Sequence, residues 1–428
     1  MLLYNSLTRR KEELPAAPGP IRMYVCGPTV YQRIHVGNAR PYVVYLWLKR
    51  WLAGRGYDVK LVENVTDVND KIYDAAAREG IASAELARRG ISWYVEDTDA
   101  LGLGRPDVEP LATETIPEII GLIRELLARG VAYESAGDVY FRVSAFPSYG
   151  ALSRANPDEM RSQEPSALKE DPRDFALWKA AKPHEDTSWE SPWGRGRPGW
   201  HIECSAMAEK HLGPQFEIHG GGLDLRFPHH ENELAQSRGA GRPFADTWAY
   251  VGLVELAAEK MSKSAGNMIS LKDALARWGR EALLVFFAGA HYRSPLEFSD
   301  EAMEGAAVQA AEFRSAFRVV NRRRTGASWE EFEAALEDDF NTPAALAILH
   351  EWRAAGRREE LARGLAVFGL GIAPADDAPA DVRELAEARR SAREKRDFAE
   401  ADLLRAAIAD AGWEVQDVPD GFRLVPRT

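Results

Sequence analysis

Strand, helix and strand follow one another between Ile21 and Val65, and that alternation constrains the fold more than any other feature of the chain. Ile21 to Cys26 alternates and stops at Gly27-Pro28, the pattern of a strand running into a turn. From Asn38 to Ala53 apolar residues recur at helical spacing (Val43, Leu46, Leu48, Trp51, Leu52), and Gly54 with Gly56 ends the run. Pro41 falls in what reads as the first turn, where its missing N–H costs nothing. Asp58 to Val65 reads as a second strand, and Val68 to Arg89 as a long charged helix interrupted at Gly80. This order opens a parallel α/β sheet, a fold that collects its ligands at the C-terminal ends of the strands.

Later segments change character. Thr115 to Leu127 reads as a helix with Thr115 as N-cap, and Ala132 to Val143 alternates like a hairpin. Pro147 to Gly199 is irregular and rich in Pro, Trp and charge. The α/β signal returns at Trp200, Thr247 to Ala257 reads as a strand pair, and the chain after Asp300 is helical to about Arg405. Two short strands can form between Gly412 and Leu424. With 428 residues the chain exceeds one comfortable domain. The expected organisation is a Rossmann-like parallel-sheet domain in two halves, 1–112 and 197–300, with 113–196 inserted between them. A helical bundle over 301–380 and a small α/β domain over 381–428 complete it. Met1 to Lys11 has no secretory pattern, and the run Tyr42 to Leu48 is too short to span a bilayer, so a cytoplasmic protein without a membrane partner is expected. A net charge of −12 argues against indiscriminate nucleic-acid binding, although the local field decides that question.

Five of the nine histidines fall between His201 and His230, which concentrates polar chemistry there. His229 and Glu233 share one face if their segment is helical. Cys204 lies in the segment after Gly199, which reads as a second helix, and Cys26 ends the first strand. Two thiolates, an imidazole and a carboxylate make a tetrahedral zinc set. Spacing alone leaves a competing reading, in which His229 serves its own helix and the cysteines are small buried hydrophobes. A disulfide between the two is disfavoured in a reducing cytosol.

Two further segments suit phosphate chemistry. His35-Val36-Gly37-Asn38 precedes a helix, whose N-terminal amides attract anions. Lys260-Met261-Ser262-Lys263-Ser264 follows a strand and precedes Gly266-Asn267. His35, Lys260 and Lys263 suit donors placed where charge grows during attack at an α-phosphate, with Mg²⁺ bridging the phosphates. In His219-Gly220-Gly221-Gly222-Leu223-Asp224 the glycines permit close approach and Asp224 could accept from ribose hydroxyls; a turn aspartate is the competing reading.

Together these segments resemble the class I aminoacyl-tRNA synthetases and, within them, the cysteinyl-tRNA synthetase family. The likeness is carried by Met23 to Tyr31, Asn64 to Lys71, Gly199 to Met207, His219 to Asp224, Phe227 to Ser237, Lys260 to Asn267 and Asp338 to Pro343. It implies that Cys26, Cys204, His229 and Glu233 hold Zn²⁺, which binds the thiolate of substrate L-cysteine. It implies that His35 to Asn38 is the first signature of the class, with Asn38 where the pattern ends in histidine, and that Lys260 to Ser264 is the second. His35, Asn38, Lys260 and Lys263 would then be catalytic. Gly37, Gly222 and Asp224 would join them in binding ATP, and Gly27, Thr66, Trp200 and His201 would surround the amino acid. The partner implied is tRNA(Cys), read by the helical C-terminal part, in a monomeric enzyme. A sister family joining cysteine to an amino sugar is the alternative. Glu233 and the tail from Arg393 to Gly412 favour tRNA, whereas a non-catalytic zinc protein that binds RNA leaves both phosphate signatures unexplained. Arg322 to Arg324, Arg357-Arg358 and Arg389-Arg390 offer phosphate contacts, against a solvated helix face as the plainer reading. Trp413 and Phe422 read as a small core before they read as stacking platforms.

Overall fold

The computed structural model describes residues 1–155, 165–183, 185–256, 259–260, 269–317, 326–371, 378–395, 397–418 and 421–426. An antiparallel hairpin, β1 (Leu2–Asn5) with β2 (Arg10–Glu13), precedes β3 (Pro20–Val25), α1 (Val36–Gly54) and β4 (Asp58–Glu63). Helices α2 (Asp70–Glu79), α3 (Ser83–Asp99) and α4 (Ile116–Ala128) follow. An antiparallel sheet then runs β5 (Ala132–Ser135), β6 (Asp138–Phe141), β7 (Phe175–Ala180) and β8 (Gly196–Pro198), paired in that order. The chain returns through α5 (Trp200–Leu212), β9 (Gln215–Gly222), α6 (His229–Gly239) and β10 (Phe244–Val251). These complete a parallel sheet of order β10-β9-β3-β4. Strands β9 and β10 are buried along most of their length, as parallel strands covered on both faces must be. Tyr45 ties α1 to the sheet, donating to the Ala249 carbonyl at 2.7 Å and accepting from the Gly221 amide at 3.2 Å.

After β10 come β11 (Val254–Leu256) and β12 (Glu259–Lys260), then α7 (Leu271–Ala288) and β13 (Leu296–Phe298), with sheet order β12-β11-β13. Helices α8 (Asp300–Ala316), α9 (Trp329–Glu337), α10 (Thr342–Ala355) and α11 (Arg358–Val367) form the bundle. It packs on α1 through Trp47, whose indole donates to the Phe368 carbonyl at 2.9 Å. Residues 1–370 make one compact unit. The second unit, 371–428, holds α12 (Ala380–Glu394), α13 (Phe398–Asp410) and the hairpin β14 (Trp413–Val418) with β15 (Gly421–Pro426). Trp413 and Phe422 pack there against a core of Val382, Ala386, Ile408, Val415 and Leu424, so they serve that core. Arg357 pairs with Glu360 at 2.6 Å and Arg390 with Glu387 at 2.8 Å, while Arg322 to Arg324 lie outside the described residues.

Three expectations change. The helix expected over Val68 to Arg89 is two helices, because Gly80 adopts a left-handed conformation (φ 69°) and caps α2. Helix α1 begins at Val36, so Pro41 lies beyond its first turn and removes the amide that would bond the Gly37 carbonyl. Thr115 occupies the N-cap of α4, but its hydroxyl donates to the Leu111 carbonyl at 3.1 Å instead of capping.

Asp339 joins the N-terminal hairpin, the segment after α7 and the bundle. It is fully buried in a turn where it and Phe340 hold positive φ (61° and 49°), a conformation its neighbours must sustain. Its carboxylate accepts from the Tyr4 amide (2.8 Å), the Tyr292 hydroxyl (2.9 Å) and Arg293 Nε (2.8 Å). Asp339→Ala leaves those donors without a partner and is expected to cost of order 3 kcal/mol, read as a lowered denaturation midpoint.

Candidate active site

The four parallel strands end at a cavity of about 410 Å³. Val251, Gly222, Cys26 and Glu63 line it from the ends of β10, β9, β3 and β4, so it spans the sheet edge. Strand order reverses between β3 and β9, the crevice where open α/β sheets bind ligands. Gly27 and Trp200 line the cavity beside Cys26; His35, Gly37 and Asn38 line it from α1, and Asp224 lines it beside Gly222. Thr66 and His201 stand behind this lining. Thr66 donates to Glu203 at 3.4 Å and accepts from the Asn64 amide at 3.2 Å, and His201 Nδ1 lies 2.9 Å from His229 Nδ1.

Cys26, Cys204, His229 and Glu233 are buried together, and one ligand atom from each lies within 4.8 Å of all the others. They come from the end of β3, from α5 and from α6. Both cysteines are free thiols. Cys26 Sγ lies 3.4 Å and His229 Nε2 3.1 Å from the same oxygen, Glu233 Oε1. A second combination, Cys26, His219, His230 and Glu233, is equally compact. The carboxylate leans to the first: His219 Nε2 holds Oε2 at 2.9 Å, which orients Glu233, and Oε1 lies nearer His229 Nε2 (3.1 Å) than His230 Nε2 (3.9 Å). Trp200 stacks on His229 at 4.2 Å between ring centres.

Burial sets the protonation of this cluster. It pushes the Cys26 thiol well up, and raises Cys204 and Glu233 too. It holds His229 well below the usual imidazole range and His201 down to about 3. Neutral imidazoles are ready donors, and burial biases the thiols and the carboxyl toward their protonated forms, whose protons a divalent cation would displace. Two sulfurs, one nitrogen and one oxygen, all buried and convergent, therefore fit a metal ion.

His35 is the N-cap of the 19-residue α1, and its amide donates to Asn38 Oδ1 at 3.4 Å. The helix start is tied to residues just beyond the lysine segment: the Val36 amide bonds the Ile269 carbonyl (3.1 Å) and the Leu271 amide the Ile34 carbonyl (2.9 Å). Lys260 pairs through its backbone with Glu255 across β11 and β12. Met261 to Asn267, including Lys263, lie outside the described residues, between this strand and the Ile269 contact.

Two site residues were not anticipated. Asn64 Oδ1 accepts from the Gly27 amide at 3.1 Å and lies 3.6 Å from Cys204 Sγ, bracing the turn after β3 against α5. Glu63 is 3% exposed; Tyr94 donates to one carboxyl oxygen at 2.9 Å, and the other oxygen has no partner among the described residues. Burial pushes its carboxyl up to about 8.

The parallel sheet, its switch-point cavity and the helix start facing it define the class. The family described as tRNA synthetases class I (C) catalytic domain matches residues 13–308, and a DALR domain matches 331–361. The fold is similar to that of Mycobacterium tuberculosis methionyl-tRNA synthetase in complex with methionyl-adenylate, with a TM-score of 0.58 at 17% identity over 82% of this chain and 90% of that one. The sequence is 44% identical to a cysteine–tRNA ligase of Rubrobacter xylanophilus over 94% of this chain and 95% of that protein. It is 43% identical to one from Syntrophotalea carbinolica over 98% of each. The chain belongs to the cysteine–tRNA ligase family of class I aminoacyl-tRNA synthetases.

Glu63 makes stability depend on pH. Its folded value of about 8 stands above an ordinary 4.5, so the folded state keeps a proton that the unfolded state releases. Its contribution therefore falls as pH rises between those values and levels off above the upper one. Glu63→Gln is expected to remove this slope, a difference of order 3–5 kcal/mol between acid and alkaline ends. Denaturant titrations of both proteins across that range measure it.

Proposed function

We propose that the protein activates L-cysteine with ATP as cysteinyl-adenylate and transfers it to the 3′ end of tRNA(Cys). One observation carries the reading: a buried two-cysteine metal-ligand set borders the same cavity as the α1 N-terminus and Asp224. Cys26, Cys204, His229 and Glu233 would hold Zn²⁺, which when bound supplies a Lewis acid that prefers thiolate sulfur to a hydroxyl. That preference addresses the hardest discrimination, because a pocket alone separates near-isosteres by only about 1–3 kcal/mol.

The protein residues do the rest by position and field. Gly27 and Trp200 border the amino-acid end, with Thr66 and His201 supporting from behind. Asp224 accepts from the ribose hydroxyls, and Gly37, Asn38 and Gly222 let the nucleotide lie close to backbone. The substrate carboxylate attacks the α-phosphorus in line, the bond to the bridging oxygen breaks, and pyrophosphate leaves with Mg²⁺. His35, the α1 amides, Lys260 and Lys263 stabilise the charge that develops. The terminal ribose hydroxyl of tRNA then attacks the adenylate carbonyl and AMP departs. We read 113–196 as the connective insertion and 381–428 as the anticodon-binding domain of a cytoplasmic monomer. Among the described residues no helix is long and apolar enough to cross a membrane. The amino-sugar acceptor is the second reading, and the full-length similarity to cysteine–tRNA ligases supports tRNA over it.

Aminoacylation of unfractionated tRNA with cysteine, with serine, and with an amino-sugar acceptor in place of tRNA tests the proposal; charging by cysteine alone is expected, and amino-sugar ligation would overturn it. Cys204→Ser is expected to lower metal content and cysteine affinity together while sparing ATP binding, measured by elemental analysis and separate KM values. Lys263→Ala is expected to slow ATP–pyrophosphate exchange by about 10²–10³ with metal content unchanged.

A further inference from the structure

Arg40 is fully buried in α1, and among the described residues it has no carboxylate partner. Its Nη donors go to four backbone carbonyls, and Nε has no partner among the described residues. Nη1 reaches Gly252 (2.8 Å), Ser294 (2.8 Å) and Leu253 (3.3 Å), and Nη2 reaches His291 (3.1 Å). An interior guanidinium without a counter-ion is costly, and an apolar side chain would fill the space without that cost. The cation must therefore do something that volume cannot.

It cross-links two segments that both line the cavity. The start of α1 brings His35, Gly37 and Asn38 to the lining; the turn after β10 brings Gly252 and Leu253. That turn is pressed in turn onto the segment after α7. The Gly252 amide donates to the Tyr292 carbonyl at 2.7 Å, the Leu296 amide to the Leu253 carbonyl at 2.9 Å, and a Cβ at Gly252 would lie 2.1 Å from the Ser294 carbonyl oxygen. A planar fork can hold several carbonyls at fixed angles, whereas a lysine ammonium on the same site is a single point.

We infer that Arg40 is a positioning residue for the nucleotide: it sets the separation between the α1 N-terminus and the Gly252–Leu253 turn, and with it the shape of the half of the cavity that takes ATP. This rests on the reading of that cavity as the ATP site. None of the Arg40 bonds reaches Cys26, Cys204, His229, Glu233 or Trp200, so the effect falls on ATP and leaves the amino acid and metal alone.

Pyrophosphate exchange, with KM measured separately for ATP and cysteine, tests this in the wild type and in Arg40→Gln, Arg40→Lys and Gly252→Ala, alongside metal content and Tm. Arg40→Gln and Gly252→Ala are expected to raise KM for ATP by about tenfold or more while KM for cysteine and metal content stay within about twofold. Arg40→Lys is expected to fall between wild type and Arg40→Gln. Equal rises in both KM values, or a lowered Tm with KM for ATP unchanged, would overturn the inference. If Arg40→Gln does not fold, Arg40→Lys and Gly252→Ala decide it by the same readout. A wild type without cysteine-dependent exchange would defeat the functional reading itself. ATP titration calorimetry on the same variants would then still judge Arg40, with unchanged affinity counting against it.

Discussion

A carboxyl group buried without solvent must be surrounded by partners, and Glu233 is the point at which this protein meets that demand. It is fully buried in α6. His219 from β9 holds one oxygen, and Cys26 from β3 and His229 from its own helix converge on the other. A strand end, a neighbouring strand and a helix are thereby brought into one register at the switch point of the sheet. The Cys26 end of the cavity is built on that convergence. Trp200 stacks on His229, and Asn64 braces Gly27 beside Cys204. Burial lowers the basicity of His229 and favours the protonated thiols, whose protons a bound divalent cation would displace.

The α1 end of the cavity is built differently, from backbone. A helix start supplies amides, while Gly222 and the Gly252–Leu253 turn supply surface that side chains do not crowd. Backbone walls need side chains elsewhere to hold them. Arg40 does so directly through four carbonyls, and Asp339 does so at one remove by gripping Tyr292 and Arg293. The bundle is therefore mechanically continuous with the cavity lip, through residues that touch no substrate.

The architecture was legible where pattern and physics coincide. Alternation in Ile21 to Cys26 became β3, helical spacing after Asn38 became α1, and the His229–Glu233 spacing placed both on one helical face. Errors fell where a local choice depends on surroundings. Gly80 divides a helix because it takes up a left-handed conformation that caps α2, and Pro41 lies deeper in α1 because the helix start is fastened to Ile269 and Ser270. Glu63 and Arg40 escaped notice as site residues. A charged residue in an apolar run has no meaning until its partners, two hundred residues away for Arg40, are in place.

By itself the amino-acid order determined the strand–helix alternation, the pairing of His229 with Glu233, and the presence of two phosphate-type segments, because these depend on residues near one another in the chain. Only the tertiary structure decided that Cys26 and Cys204 meet at Glu233, which of two overlapping ligand sets the carboxylate faces, and which candidates line the cavity or stand behind it. The physical reason is that desolvation, hydrogen-bond satisfaction and close packing act on neighbours in space. Those neighbours are assembled from strand ends that the chain reaches nearly two hundred residues apart.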